Sequence, residues 1–151
     1  MPTQSFFDDK NITWHELEGI EHLKYHIFHV SAERNIVDVL FKFAANQKVV
    51  LHRHHADYCT FVVQGELRIY GSDETLREVR PVGSYVMSNA GGEPHTEGGG
   101  DTEAIVFFSN RGTDGTIYEI LDPDLNTLAT LGLQDFQALL EAQSTTAGVA
   151  S

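Results

Sequence analysis

Apolar and polar residues alternate along much of the chain, and this two-residue period is typical of strands with one buried face. In the segment 35–45, the apolar residues Val37, Val39, Phe41 and Phe43 would share one face, with polar residues between them. Further strands are predicted at 24–30, 48–54, 58–65, 66–71, 75–80, 83–89 and 102–110. Many short strands separated by glycine-containing turns predict an all-β sandwich or barrel.

The two ends of the chain depart from this pattern. Residues 1–22 show no regular period, so we expect an irregular N-terminal segment. The segment 132–143 has apolar residues at helical spacing, namely Leu133, Phe136, Leu139 and Leu140. This spacing predicts one amphipathic helix that closes the domain at its C-terminal end.

The length of the chain, 151 residues, is that of one domain. Because no linker or internal repeat is visible, we expect a single domain over residues 1–151, with the barrel at about 23–121. No apolar stretch approaches the ~20 residues of a membrane-spanning helix, and the N-terminus lacks the pattern of a secretory signal. The single cysteine, Cys59, cannot form an internal disulfide, which fits a reducing compartment, so we expect a cytoplasmic protein.

The formal net charge of the chain is −12. A surface with this charge repels phosphate backbones and anionic lipids, so we expect neither nucleic acid nor a membrane as a partner. The net charge does not restrict small-molecule substrates in the same way, because a bound metal ion would dominate the local field.

Three histidines lie within four positions of the predicted strand 48–54 and the residue after it. His52 and His54 are two residues apart and therefore share one face, whereas His55 points the opposite way. Imidazole is the commonest metal ligand, and a same-face pair on a strand is an efficient chelator. We therefore interpret His52 and His54 as metal ligands, the alternative being a purely surface role. A third ligand must come from elsewhere, and His95 is the candidate, the alternative being a loop residue.

The segment around the histidine pair resembles the first motif of the cupin superfamily, G-x5-H-x-H-x3,4-E-x6-G. Asn46 stands at the first glycine, His52 and His54 at the two histidines, Tyr58 at the glutamate and Gly65 at the last glycine. Asn in place of Gly is a mild change because Asn tolerates a left-handed backbone. Tyr in place of Glu removes the carboxylate that usually completes the cupin site.

A second segment resembles the second cupin motif, G-x5-P-x-G-x2-H-x3-N. Gly83 and Gly91 match its glycines, Asn89 stands at the proline, and His95 follows after three residues instead of two. Gly99 stands where the last asparagine would be. The two motifs cover 46–99, about a third of the chain, and the resemblance implies an antiparallel jelly-roll barrel with a short C-terminal helix.

A cupin site with three histidines and no motif glutamate is similar to that of the acetylacetone-cleaving and 2,4'-dihydroxyacetophenone dioxygenases. This resemblance implies Fe(II), O2 as a co-substrate, and cleavage of a carbon–carbon bond in a small β-dicarbonyl or hydroxyketone bound as its enolate. Zn, Ni and Mn are alternative metals, with lyase, isomerase or hydrolase chemistry. Cupin domains of anti-sigma factors bind zinc without known chemistry, so a non-catalytic sensor is a further alternative.

Strand parity identifies the residues that would line a substrate pocket. The inward-facing candidates are Phe41, Phe43, Tyr58, Thr60 and Val62. We predict a catalytic role for Tyr58, as a metal-bound phenolate or as a hydrogen-bond donor in the pocket wall.

Two further polar residues have two interpretations each. Arg68 would hold a substrate oxygen if its strand face is inward, and would be a solvated charge if that face is outward. Glu97 lies two residues beyond His95 and could support it or act as a base, but its glycine neighbours predict exposure. We expect a homodimer or higher homo-oligomer, because exposed edge strands of an antiparallel barrel favour pairing.

Overall fold

The structure is a computed structural model that describes residues 7–112 and 114–150, with side chains as far as residue 145. In these residues the chain forms twelve strands and one helix. The strands are β1 (His15–Glu16), β2 (Leu23–Ser31), β3 (Ile36–Phe43), β4 (His52–His54), β5 (Asp57–Gln64), β6 (Leu67–Gly71), β7 (Leu76–Arg80), β8 (Tyr85–Ser88), β9 (His95–Gly99), β10 (Ala104–Arg111), β11 (Thr116–Leu121) and β12 (Thr127–Gly132). The helix α1 spans Leu133–Ala150.

The strands form two antiparallel six-stranded sheets that face each other. One has the order β1-β2-β3-β10-β5-β8 and the other the order β12-β11-β4-β9-β6-β7. Strands distant in sequence are neighbours in both sheets, as β3, β10 and β5 are in the first. This topology confirms the predicted all-β jelly-roll barrel with a C-terminal helix.

The core lies between the two sheets and follows the predicted alternation. Val37, Val39, Phe41 and Phe43 on β3 are all at most 5% exposed, and β10 adds Val106 and Phe108 from the neighbouring strand. Packing of this kind contributes about 1.5–3 kcal/mol for each fully buried large side chain. The two-residue period therefore identified the buried face of these strands correctly.

Four strands were not predicted, and β9 is the one that matters for the site. Its sequence, HTEGG, shows no strand pattern, and glycine is depleted in strands. The strand forms because it is paired on both sides, with β4 and with β6. Gly98 allows this pairing, because a Cβ at this position would overlap the backbone carbonyl oxygen of Gln47.

The helix begins where predicted and continues beyond the predicted end at residue 143. Asp135 accepts a hydrogen bond from the backbone N–H of Gly132 at 2.7 Å, which caps the first turn. Phe136 packs into the core at 1% exposure. The Gln143 amide bonds to both the N–H and the carbonyl of Ile27, each at 2.9 Å, and so occupies the free edge of β2.

The outer face of the first sheet carries a row of exposed apolar side chains. Phe61 pairs with Tyr85 on one side and with Phe107 on the other, and Met87 lies next to Tyr85. Homo-oligomer formation stays a prediction. Within the described part of the chain, no helix has the length and apolar character needed to cross a membrane.

Gly98→Ala should destabilise the fold by about 2–3 kcal/mol, because the new methyl group meets backbone rather than a movable side chain. The measurement is the free energy of unfolding in denaturant. Gly92→Ala is the matched control, since nothing lies within 4 Å of a Cβ there. Equal stability of the two variants would contradict the close approach between β9 and residue 47.

Candidate metal centre

Strands β4 and β9 bring four potential metal ligands together on the inner face of the second sheet. His52 lies directly opposite His95 in the antiparallel pair. His54 and Glu97 are each two residues further along their own strands, so they share the inward face with this pair. The predicted ligands His52, His54 and His95 are therefore brought together, and Glu97 joins them.

The ligand atoms converge on one point. Nε2 of His54 lies 3.2 Å from Nε2 of His95, and Nε2 of His52 lies 3.2 Å from Oε1 of Glu97. One ligand atom from each of the four residues lies within 4.8 Å of the others. Metal–ligand bonds of about 2.0–2.2 Å place neighbouring ligand atoms about 3.0–3.4 Å apart, so the four side chains fit a single ion.

The burial of Glu97 corrects the expectation that this residue is exposed. Glu97 is 4% exposed, and its carboxylate lies against His52 and His95. The site therefore offers three imidazoles and one carboxylate, rather than three neutral ligands alone. A signal was present in the sequence, because Glu97 has the same strand parity as His95, but the surrounding glycines suggested a loop.

The surroundings of the histidines favour Nε2 as the ligand atom. Nδ1 of His52 lies 2.8 Å from the carbonyl oxygen of Val50, which as an acceptor fixes the proton on Nδ1 and leaves Nε2 free. Nδ1 of His54 is buried without a hydrogen-bond partner among the described residues. Its Nε2 lies 3.2 Å from Nε2 of His95, so Nε2 is the atom that faces the cluster.

The protonation states suit metal binding. Burial, with a contribution from the nearby positive charges of His52 and Arg80, holds the pKa of His54 well below its ordinary value. Burial likewise lowers the pKa of His95 to about 4. Burial raises the pKa of Glu97, but the hydrogen bond from His52 and the neighbouring cations outweigh it, so the net shift is downward.

His52 is the exception in this cluster. Burial lowers the pKa of its imidazole, but the hydrogen bond to Glu97 and the charge of that carboxylate together raise the pKa by more than burial lowers it. The net shift is therefore upward. The contact between His52 and Glu97 therefore favours the protonated imidazole and the ionised carboxylate. A metal ion would replace the proton on His52, which is the usual exchange when a histidine becomes a ligand.

Tyr58 lies beside the cluster, at the position of the motif glutamate. Its ring stacks on the imidazole of His54, with ring centroids 3.7 Å apart and planes 10° from parallel. Burial raises the pKa of the phenol to about 12, so its hydroxyl stays protonated. The stacked, neutral ring packs on a ligand histidine and is not suited to bind a metal as a phenolate.

Arg68 is not brought to the cluster, which corrects its predicted role in catalysis. Leu67 and Ile69 on either side of it are buried, so Arg68 lies on the outer face of β6, where it pairs with Glu66 and Asp101. The alternation along β6 places Arg68 and Tyr70 on one face, but it does not show whether that face is inward, which depends on how the two sheets pack.

The sequence reasoning missed a buried cation, Arg80, at the end of β7. Arg80 is 7% exposed, donates a hydrogen bond of 2.8 Å from Nη1 to Oγ1 of Thr60, and pairs with Glu78. Its positive charge contributes to the low pKa values of His54 and His95. The predicted pocket residue Thr60 is thus buried, but its hydroxyl is engaged by Arg80.

A small apolar cavity of about 40 Å³ adjoins the cluster on the side of His52 and Glu97. The predicted pocket residues Phe41 and Phe43 line it, together with two aromatic residues that the sequence did not single out, Tyr118 and Phe136. The other predicted pocket residues, Tyr58, Thr60 and Val62, are buried but do not line this cavity. The cluster therefore has an open, apolar side and a side that is filled.

The outer face of β4 is held by a single carboxylate. Oε1 of Glu119 on β11 lies 3.0 Å from Nη1 of Arg53 and 2.8 Å from Nε2 of His55, and its Oε2 accepts from the hydroxyl of Thr127. His55 thus points away from the metal cluster, as parity predicted. These contacts fix the short strand whose inner face carries His52 and His54.

An antiparallel jelly roll whose inner face carries a His-x-His pair, a third histidine and a carboxylate defines a metal-binding cupin. A family model described as the ChrR cupin-like domain matches residues 3–113. Because this match covers most of the chain, the protein belongs to that cupin family. A comparison with curated protein sequences gave no significant match.

Solved structures confirm the fold. An RmlC-like cupin from Ralstonia eutropha superposes with a TM-score of 0.74 at 19% identity, over 95% of this chain and 88% of that one. An acetylacetone dioxygenase from Acinetobacter johnsonii gives 0.71 at 16% identity, over 94% and 93% of the two chains. A putative acetylacetone dioxygenase from Methylibium petroleiphilum also gives 0.71 at 16%, over 93% and 96%. The protein is therefore a cupin whose fold resembles that of the acetylacetone dioxygenases.

Glu97→Gln should weaken metal binding by more than the ~10–100-fold that loss of an outer-shell partner causes, because it removes a ligand charge while keeping the side-chain volume. The measurement is the dissociation constant for Zn²⁺ or Fe²⁺ by competition with a chelator. Glu93→Gln, at an exposed residue of the preceding loop, is the control. Unchanged affinity in the Glu97 variant would exclude this carboxylate as a ligand.

Glu119→Gln should lower stability in a pH-dependent manner. The hydrogen bonds from His55 and Thr127, with a further one from Arg53, lower the pKa of Glu119 to about 2 from the ordinary 4.5. A lowered pKa stabilises the fold above the unfolded-state value and loses that effect as the pH falls toward the folded-state value.

The denaturant midpoint of the wild type should therefore exceed that of Glu119→Gln at pH 6, and the two midpoints should converge between pH 4.5 and pH 2. A difference that stays constant over this range would show that the contacts of Glu119 do not depend on its charge.

Proposed function

We propose that the protein is a mononuclear non-haem Fe(II) dioxygenase that cleaves a carbon–carbon bond of a small β-dicarbonyl or hydroxyketone bound as its enolate. The observation that carries this proposal is the convergence of four ligands, two of which, His52 and Glu97, line a small apolar cavity. The similarity in fold to acetylacetone dioxygenases supports the same reaction class.

The ligand set is suited to an anionic substrate. His52, His54, His95 and Glu97 would hold the metal, and bound Fe(II) would supply Lewis acidity and one-electron chemistry with O2. Three neutral imidazoles and one carboxylate leave a divalent ion with one net positive charge. A single enolate balances that charge, which matters because uncompensated charge is costly in a buried site.

The aromatic side chains around the cavity would bind the apolar part of the substrate and exclude water. Phe41 and Phe43 form one wall, and Tyr118 contacts Phe41 with ring centroids 6.3 Å apart. The hydroxyl of Tyr118 donates to Oδ1 of Asn110 at 3.2 Å, and burial raises its pKa well above the usual range. Tyr118 therefore presents a neutral ring to the cavity and is not a base.

A second candidate is a non-redox or sensing role for a bound zinc ion. Four protein ligands complete a tetrahedral zinc site, and structural zinc sites are closed in this way. The cavity of about 40 Å³ beside the cluster leaves little space for a substrate, which favours this alternative. Nickel and manganese would support lyase, isomerase or hydrolase chemistry with the same residues. A cytoplasmic location fits the proposal, since Cys59 is a buried free thiol.

Protein loaded with Fe(II) under anaerobic conditions should consume O2 when a small β-diketone is added, and His95→Ala should lose at least about 100-fold of this rate because the iron site is incomplete. An oxygen electrode and product analysis provide the measurement. His29→Ala, an exposed histidine of β2, serves as the control. Absence of uptake across β-diketones and hydroxyketones, in protein that retains iron, would reject the dioxygenase in favour of the zinc alternative.

A further inference from the structure

A wide surface cleft lies directly outside the cavity at the metal cluster. The cleft has a volume of about 1140 Å³ and runs between the N-terminal segment 16–24 and the barrel. Its barrel wall includes Lys42, Lys48 and Val50. The cleft is open to solvent, whereas the cavity at the metal cluster holds only about three water-sized groups.

The cleft and the cavity share one apolar wall. Leu17, Ile20 and Leu23 of the N-terminal segment and Val49 and Val50 of the barrel line both spaces. A molecule that crosses this band of side chains moves from solvent to the ligand atoms of His52 and Glu97. We call the three N-terminal residues Leu17, Ile20 and Leu23 the apolar wall.

The opposite side of the cluster is closed. Tyr58 stacks on the His54 ring, and Thr60 is held by the buried Arg80. All four of these residues are at most 7% exposed. A ligand that approaches from the side of His52 and Glu97 must cross the apolar wall, whereas His95, the most exposed of the four ligand residues, has a side chain that is 15% exposed.

Two of the three wall residues, Leu17 and Ile20, lie in a connection that is attached by few hydrogen bonds. β1 pairs with β2 over two residues only, and the backbone bond in the connection is Ile20 N–H to the Leu17 carbonyl at 3.1 Å. Leu23 is the first residue of β2, where it lies opposite Phe43, so it is fixed by the sheet. All three side chains are partly buried, and moving Leu17 and Ile20 breaks fewer hydrogen bonds than moving a paired strand would.

The charges in the cleft do not select for anions. Four glutamates line it, at positions 16, 18, 21 and 103, and three lysines, at positions 24, 42 and 48. The ammonium of Lys42 is already paired with Asp9 at 3.1 Å. A neutral molecule crosses this entrance and the apolar wall more readily than a carboxylate, which would lose its hydration there.

We propose that ligands reach the metal centre through this cleft and past Leu17, Ile20 and Leu23, and that these three side chains select small, uncharged, largely apolar molecules. Where the ligand is a dicarbonyl, it crosses the wall in its neutral form. The identity of the substrate rests on the proposed function, whereas the route itself does not.

The test measures how fast a small neutral chelator, 1,10-phenanthroline, removes zinc from the loaded protein. Ile20→Ala opens the wall and should speed removal at least fivefold, whereas Ile20→Trp fills it and should slow removal at least fivefold. Leu76→Ala is the control for loss of a comparable side chain, since Leu76 is 54% exposed on β7, at the far edge of the second sheet. It should release zinc at the wild-type rate.

Opposite effects of the two Ile20 variants separate the route from general loss of stability, because destabilisation would speed removal in both. Faster removal from both variants, or wild-type rates in both, would overturn the proposal. Ile20→Ala should raise the rate of zinc removal by a charged chelator of similar size less than it raises the rate of removal by phenanthroline. An equal increase for both chelators would overturn the selection of uncharged molecules.

Oxygen uptake by the same variants distinguishes the route from the reaction. If zinc removal is faster from Ile20→Ala and slower from Ile20→Trp but none of the proteins consumes O2, the route is supported and the dioxygenase is rejected. If the wild type consumes O2 and the Ile20 variants release zinc at the wild-type rate, the dioxygenase is supported and the route is rejected. If both hold, Ile20→Ala should shift kcat/KM toward bulkier diketones.

Discussion

The burial of the Glu97 carboxylate against three imidazoles is the constraint on which the rest of the site depends. A carboxylate at 4% exposure is stable only beside compensating positive charge and hydrogen-bond donors. His52 lies 3.2 Å from this carboxylate, and a metal ion would supply compensating positive charge. The backbone must also bring β9 close to the barrel rim, which Gly98 permits because it has no side chain. The position of Glu97, the charge that surrounds it and the pairing of β9 therefore depend on one another.

The two sides of the metal cluster have different physical characters. On one side, the stacked Tyr58 ring and the Thr60–Arg80 hydrogen bond fill the space and hold the histidines in position. On the other side, the walls of a small cavity are aromatic and aliphatic, and only a thin apolar wall separates it from the cleft. A rigid side and an accessible side are what a metal site needs if it is to bind its ion firmly and still exchange a ligand.

The carboxylate of this cupin comes from a different strand than the family motif leads one to expect. The motif position is occupied by Tyr58, whose neutral ring stacks on a ligand instead of binding the ion. Glu97, two residues after His95, approaches the same point from β9. The number and type of charges at the site are thus those of three histidines and one glutamate, although the first motif has lost its glutamate. The charge of a metal site is decided by which side chains converge, not by one motif position.

The sequence by itself determined the all-β class, the buried face of β3, the C-terminal helix and the three histidines, because a two-residue period and a His-x-His pair are local properties of the chain. It did not determine that HTEGG is a strand or that Glu97 is buried, because β9 is stable only through its pairing with β4 and β6. It also left the direction of Arg68 open, gave no indication of Arg80 or Tyr118, and identified Phe136 only as a helix residue. Only the closure of the two sheets and the packing of the helix place Arg80, Tyr118 and Phe136 near the metal cluster.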